Sequence, residues 1–430
     1  MSFQEPCQKS ADNVTLSCGR SSVTLPFTLK ADYITSKNKI NAIPQSEVIE
    51  RLTGDAVMSY PLRETIEDGE NILIVLPDAT RRSGAEQVLP AILSIAEELK
   101  KTVRFIIAVG THRQPDEAEL KEIMTPEIYE KYKQTVLKHD CEDYDSMDFY
   151  GITKRKTTVL FNKAYREHDT IITIGSVSYH YFAGYGGGRK LIFPGLASEK
   201  SISANHRLAI DAMTSQRHDK AVTGNLRNNP VHDDMVETIM IARSGHTFFA
   251  VNTILDENGK IAEIICGDLF MSHIQAAQKL DEYCSVECEK QYDLVLVSAG
   301  GSPKDINLVQ AQKYLDRIIP LVKKGGKIVF FAECPDGYGN KYFEGFFDHP
   351  DSGSMLKDLM VDYRINRQTA YNLKTRLEAF DVYAYTSLDG EDCGRIGFKK
   401  LTDLNDIKEL AEKAESVAVV SHPADIFIKK

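Results

Sequence analysis

From about residue 70 the sequence settles into an alternation that few folds satisfy. Asn71–Leu76 (NILIVL) is a short apolar run, followed by the polar loop PDATRRSG and an amphipathic helix, EQVLPAILSIAEELKK. TVRFIIAVG then reads as a strand, GTHRQP as a loop, and DEAELKEIM as a helix whose acidic opening suits the positive end of the helix dipole. DTIITIG is a third strand and runs into a long glycine-containing loop. Short apolar strands alternating with amphipathic helices predict a parallel sheet wrapped by helices.

The same pattern starts again further on. MSHIQAAQKLDEYCSVECEK, around residues 270–290, reads as a connecting helix; YDLVLVSAG, the loop GSPKD, the helix INLVQAQKYLDRIIPLVKKG and the strand GKIVFFAE follow, then the loop CPDGYGN. A chain of 430 residues exceeds one ordinary core. The expected fold is therefore α/β, with two domains of mainly parallel sheets flanked by helices and an active site in the crevice between them. The boundary falls near residue 275, giving domains 1–275 and 276–430, to within the several residues that element edges allow. The first 35 residues alternate (NVTLSC, SVTLPFTL) as an opening antiparallel hairpin would. The closing stretch SVAVVSHPADIF reads as one last strand, left open between completing the second sheet and returning to the first.

Composition narrows the partners. A net charge of −10 argues against nucleic acid or an anionic membrane, which call for a basic surface. An anionic ligand would have to be held by local cations instead. No apolar run approaches the roughly 20 residues of a membrane span, and MSFQEPCQKSADN has neither the basic nor the apolar region of a signal peptide, so a cytoplasmic location is expected. The eight cysteines are scattered. Cys284 and Cys288 would share a helix face, but no second pair completes a zinc site, and reduced thiols are the expectation.

The chemically useful residues stand where the strands end. Asp78, Thr80 and Arg81 follow the first strand, His112 the second, His180 and Lys190 the third; Gln310 and Lys313 lie beyond the first strand of the second domain. Ligands of open α/β sheets bind at the carboxyl ends of strands, so these residues are candidates for one site. Arg81 has the planar guanidinium that grips a carboxylate or phosphate, whereas Arg82 reads as structural or exposed. His112 and His180 form a candidate acid/base pair, since imidazole exchanges protons near neutrality. Gln310 and Lys313, three apart, share a helix face; periodicity alone makes them surface polars, and the GGSPKD loop before them brings their helix start to a strand end.

The stretch Gly184–Lys190 (GYGGGRK) raises a separate question. A phosphate loop of the P-loop type needs Gly before the Lys and Ser or Thr after it; Arg189 and Leu191 stand there. No GxGxxG with a ribose-binding acid follows a strand either. The glycines are expected to let the backbone approach a bulky ligand closely, and Lys190 has no role under the standard motifs.

PDATR (Asp78 to Arg81), GTHR (His112), HYFAGYGGGRK (His180 and Lys190), SANHR (His206) and PKDINLVQAQK (Gln310 and Lys313) together resemble the nickel-dependent lactate racemases and related 2-hydroxyacid racemases and epimerases. The resemblance covers most of the chain. It implies a racemase or C2-epimerase of a 2-hydroxy acid, lactate or a related one, working by hydride transfer through a 2-keto acid. The cofactor it implies is a pyridinium-3,5-bisthiocarboxylic acid mononucleotide, joined to Lys190 through a thioamide and holding nickel in a pincer of two sulfurs and a ring carbon. His206 would be the fourth nickel ligand, in the near-planar geometry Ni(II) prefers. Asp78, Ala79, Thr80 and Arg81 would line the cofactor, and His112 with His180 would exchange protons. Arg81, Gln310 and Lys313 would hold the substrate. The partners implied are a small 2-hydroxy acid and the cofactor-biosynthesis proteins, with the oligomeric state open. Tyr179, Tyr185 and Tyr338 are not fixed by these motifs, so the substrate's tail is not named. Two other readings stand beside this one: a zinc-dependent hydrolase or lyase with His112, His180 and His206 as ligands, and a non-catalytic protein that binds the cofactor or a hydroxy acid.

Overall fold

The computed structural model describes residues 8–11, 14–36, 38–211, 216–364 and 366–429. The chain forms two compact units, one spanning Lys39–Glu282 and the other joining the segment that ends at Asn38 to the chain from Tyr283 onward. Among the described residues no helix is long and apolar enough to cross a membrane.

The Lys39–Glu282 unit is built on a six-stranded sheet ordered Ile261–Gly267, Thr247–Leu255, Thr170–Ser176, Asn71–Pro77, Thr102–Ala108, Val136–Leu137. Every pair is parallel except the first, where the Ile261 and Thr247 strands run antiparallel. Alternate residues of neighbouring strands (Ile72, Ile74 and Leu76; Phe105 and Ile107; Ile172 and Ile174) form one side of a core. The helix Ala85–Glu98 closes it with Val88, Leu89, Ile92, Leu93 and Ala96, the three-and-four spacing of an apolar helical stripe. Each large aliphatic side chain buried there contributes on the order of 1.5–3 kcal/mol.

This topology creates the site. The Thr102 strand lies on one side of the Asn71 strand and the Thr170 strand on the other. The connections after Pro77 and Ser176 therefore run to opposite sides, which puts a switch point between these two strands, and the loops that follow are tied where Ser176 Oγ donates to the Arg82 carbonyl (2.7 Å).

The second unit carries a seven-stranded sheet ordered Gln8–Ala11, Leu29–Tyr33, Val417–Val420, Tyr292–Ser298, Val322–Phe331, Asp381–Tyr385, Lys399–Lys400. Only the Gln8–Leu29 strand pair is antiparallel. Two expectations need correction, and the closing strand, left open by the sequence, finds its sheet. Residues up to Asn38 do not belong with the first α/β unit, because the Leu29–Tyr33 strand pairs in parallel with Val417–Val420. The apolar side chains Val14, Leu16, Leu25 and Leu29 pack into the core of Leu294, Leu296, Val329 and Val419. The closing strand accordingly completes this second sheet and does not return to the first. The connecting helix stops at Cys284; Ser285–Glu287 is a strand against Phe427–Lys429, so Cys288 is not on the helix face of Cys284. The hairpin expected at the start is present as Thr15–Cys18 against Ser21–Thr24.

Candidate active site

The loop after the Asn71 strand turns tightly on Asp78. Its carboxylate accepts the Thr80 amide (2.8 Å) and the Thr80 hydroxyl through Oδ1, and His112 Nδ1–H through Oδ2 (2.9 Å). Asp78 is only 5% exposed. Burial alone would raise its pKa; the hydrogen bond and charge of His112, then Thr80 and Arg81, outweigh this and hold it at about 2. The result is a permanent carboxylate. His112 stands on a turn closed by its own amide to Val109 (2.9 Å), with its ring half exposed. Because Nδ1 carries the proton toward Asp78, the neutral ring presents a lone pair at Nε2.

After Ser176 the chain makes a two-residue hairpin, Tyr179–His180 against Gly184–Tyr185. The Ala183 amide donates to His180 Nδ1 (3.2 Å), which places the proton of the neutral ring on Nε2, opposite to His112. Phe182, buried at the hairpin tip, then organises three residues at once. Its ring meets His180 edge-on (centroids 4.6 Å apart) and His206 edge-on (4.9 Å), and Lys190 Nζ stands 6.0 Å from its centroid. His206 lies in the last turn of the helix Glu199–Arg207 and donates Nδ1–H to the Ile202 carbonyl (2.8 Å), leaving Nε2 as a lone-pair donor. Burial, with Lys190 beside it, pushes its pKa down to about 3, so the imidazole is neutral.

The two loops are tied together. Gly195 accepts the Gly110 amide and donates to the Lys190 carbonyl, both at 3.0 Å, which joins the turn before His112 to the turn bearing Lys190. An ideal Cβ on Gly186 would lie 3.8 Å from Arg81 Nη1, placing that guanidinium beside the glycine run. Arg82 bonds instead to the Asn258 carbonyl (3.3 Å).

The glycines serve a different purpose from the one expected. A Cβ on Gly184 would meet the Asn225 carbonyl oxygen at 2.4 Å, on Gly187 the Ser176 carbonyl oxygen at 2.6 Å, and on Gly188 the His273 ring at 2.7 Å; all three have positive φ. They are glycine because the protein's own backbone and His273 fill that space, not to clear a ligand. Arg189, the residue that disqualified a phosphate loop, is fully buried. Its Nε donates to His232 Nδ1 (2.8 Å) and Nη2 to the Ala183 carbonyl (3.1 Å), and Tyr185 O lies within 3.5 Å. His273 Nε2 stands 2.9 Å from the Gly186 carbonyl and 3.0 Å from Arg189 Nη1, with Nδ1 farther from Nη1 at 3.4 Å. Burial lowers the Arg189 pKa to about 9, and burial followed by the charge of Arg189 lowers His232 to about 3 and holds His273 well below the usual imidazole value. A guanidinium held by two neutral imidazoles and backbone carbonyls locks the loop on which His180 and Lys190 sit.

Of the residues expected from sequence, Asp78, Thr80 and His112 form one bonded group, and His180, Lys190 and His206 meet at Phe182. Ala79 and Thr80 are exposed beside Asp78. Gln310 and Lys313 belong to the other unit, on the helix Leu308–Ile318, where Lys313 Nζ donates to Gln310 Oε1 (2.6 Å). Among the described residues, no three or more of His, Cys, Asp and Glu gather as metal ligands, so His112, His180 and His206 do not make a zinc site. Phe182, Arg189, His232 and His273 went unrecognised in the sequence. His232 and His273 stand 43 and 84 residues from Arg189, and no local pattern links them.

The fold and site together define an α/β protein in which a carboxylate-held imidazole and a lysine–histidine–phenylalanine cluster stand on loops joined through Gly110 and Gly195. Comparison with known proteins makes this specific. Residues 18–218 match the lactate racemase N-terminal domain and residues 287–375 the lactate racemase C-terminal domain. The lactate racemase of Thermoanaerobacterium thermosaccharolyticum is 30% identical over 311 residues, covering 72% of this chain and 70% of that protein. The lactate racemase of Lactiplantibacillus plantarum is 32% identical over 314 residues, covering 71% and 70%. The chain belongs to the lactate racemase family. Its fold matches the T. thermosaccharolyticum lactate racemase apoprotein with a TM-score of 0.86 at 24% identity, across 97% of this chain and all of that one. A Thermotoga maritima protein matches with a TM-score of 0.68 at 16% identity, across 90% and 99%.

Proposed function

We propose that this protein is an isomerase that inverts C2 of a small 2-hydroxy acid, lactate or a close relative, with a nickel-pincer pyridinium mononucleotide joined to Lys190. The observation that carries the reading is the meeting of His180, Lys190 and His206 at the Phe182 ring, three motif residues that the sequence separates by up to 26 positions. Family membership and the lactate racemase names of two relatives support it.

The residues present fit the implied group. Lys190 is 9% exposed, so an acyl link there would be screened from water. His206 offers one neutral nitrogen, which is what ligation of Ni(II) by imidazole requires, and its other nitrogen is fixed by the Ile202 carbonyl. The donor set is one imidazole, as suits a metal whose remaining ligands arrive with an organic group. Asp78, Ala79, Thr80 and Arg81 would border that group. When bound, it supplies an acceptor for the C2 hydrogen as hydride, which avoids a carbanion beside the carboxylate.

The protein's share is proton handling and positioning. The resting tautomers differ: His112 presents a lone pair at Nε2 and His180 an N–H. In one direction neutral His112 takes the hydroxyl proton as C2 is oxidised, and His180 in its imidazolium form gives one proton to the carbonyl oxygen at the opposite face and is left neutral; in the other direction neutral His180 is the base and protonated His112 the acid. Each group contributes on the order of 10²–10⁴-fold. Arg81 is assigned to the substrate carboxylate on its place beside the glycine run, and Gln310 and Lys313 on the family resemblance. The test is a panel of single enantiomers of 2-hydroxy acids, followed by chiral analysis with protein produced alongside the cofactor-building proteins. Interconversion of at least one acid is expected, lost in His112→Ala and His180→Ala. A panel in which no acid is inverted would contradict the proposal.

A further inference from the structure

The first turn of the helix Pro230–Ala242, with its capping residue, touches the site at three separate points: Phe182, Arg189 beside Lys190, and Asn205 on the helix that carries His206. Asn229, its capping residue, donates Nδ2–H to the Phe182 carbonyl (2.9 Å) and accepts the Val231 and His232 amides. His232 accepts Arg189 Nε–H (2.8 Å), next to Lys190. Asp234 accepts Asn205 Nδ2–H (2.9 Å), next to His206, and is held by the hydroxyls of Thr153 (2.6 Å) and Thr157 (2.7 Å). Asn205 also donates to the Val231 carbonyl (3.0 Å). Asn205, Asn229 and Asp234 are all fully buried.

This arrangement is too expensive to be ordinary helix packing. A buried carboxylate that faces two hydroxyls and an amide costs desolvation that an apolar pair would avoid. The contacts instead fall on the immediate chain neighbours of Lys190 and His206 and on the backbone of the ring between them. We propose that the Asn229–Asp234 turn is a positioning bracket: His232, through Arg189, sets Lys190, and Asp234, through Asn205, sets His206. The bracket fixes the separation at which a group attached to Lys190 comes within reach of the His206 nitrogen. Neither His232 nor Asp234 is a catalytic residue; each acts through the neighbour it holds. The inference rests on the reading of Lys190 and His206 given above.

The two halves of the bracket are separable by measurement. Wild type, Asp234→Asn, His232→Leu and His232→Gln would be produced with the cofactor-building proteins. Intact mass gives the fraction of chains carrying the Lys190 adduct, chelator competition the nickel affinity per adduct, and thermal unfolding the integrity of the fold. Asp234→Asn keeps the shape but accepts on one oxygen only. It should retain the adduct and lose about 10–100-fold in nickel affinity, the size expected when the support of a metal ligand is removed. His232→Leu should carry the adduct on several-fold fewer chains with unchanged nickel affinity per adduct, and His232→Gln, which keeps an acceptor oxygen, should restore it. Asp233→Asn, on the same turn but ion-paired at the surface with exposed Arg155, should match wild type. Parallel loss of adduct and nickel, or no loss in either variant with a loaded wild type, would overturn the bracket. A wild type without the adduct would overturn the assignment of Lys190 itself, and the bracket with it.

Discussion

At Asp78 two opposing effects act on one carboxyl group, and the balance decides its role. Burial favours the neutral acid, but a hydrogen bond from His112 and the charge that ring carries when protonated favour the anion by more, and hold the group at about 2. It therefore acts as a fixed acceptor that keeps the His112 proton on Nδ1. Asp78→Asn retains the size and removes that control, since an amide can offer the ring either an acceptor or a donor. The expected outcome is a fall in kcat of about 10²–10⁴-fold in both directions with KM nearly unchanged; a KM effect alone would place Asp78 in binding rather than proton transfer. At this scale the sequence was informative where a residue stands alone at a strand end: Asp78, His112, His180 and Lys190 were legible. Arg189 was read only as a mismatch to a phosphate loop. Its burial among His232, His273 and the Ala183 and Tyr185 carbonyls depends on contacts across up to 84 positions, which one sequence does not encode locally.

At the scale of the element, the run Gly184–Gly188 is best understood as backbone packing. Gly187 has φ +75° and its Cβ would sit 2.6 Å from the Ser176 carbonyl oxygen, whereas the nearest atom to a Cβ on Gly186 is the Ser178 hydroxyl at 3.1 Å, which can rotate away. Gly187→Ala should lose about 1–3 kcal/mol from the left-handed conformation alone, and more from the contact, while Gly186→Ala should lose less than about 1 kcal/mol. Urea unfolding of both variants checks this; equal stabilities would contradict it. The strands and helices themselves were legible because periodicity is local: the Ala85–Glu98 helix carries its apolar stripe in sequence, and the Asn71 strand its continuous run. Which strand lies beside which was not, and that order is what puts the switch point between the Asn71 and Thr170 strands.

At the scale of the molecule, the pairing of Leu29–Tyr33 with Val417–Val420 joins segments nearly 400 residues apart, and no composition shift announces it. Whole-chain stability should also carry the imprint of the buried imidazoles. Burial holds His139 at about 4 and His206 and His232 at about 3, below the 6.5 of an exposed imidazole. The unfolded chain therefore takes up protons first as pH falls, and stability contributed by the neutral rings is present above about 6.5 and is lost progressively toward 3. Asp78, lowered to about 2, adds stability that is present above about 4 and lost below it, in the same direction. The urea midpoint should fall steadily from pH 7 to pH 4; a flat profile across that window would contradict neutral buried histidines.

The most direct test of the central claim is the fate of the C2 hydrogen. Holoprotein given one enantiomer of lactate, or of whichever 2-hydroxy acid the panel selects, in D2O should bring it to an equal mixture of both enantiomers with protium retained at C2, because hydride leaves and returns without exchanging with solvent. Inversion accompanied by full deuterium incorporation at C2, or no inversion of any acid by protein shown to carry the Lys190 adduct, would contradict the account.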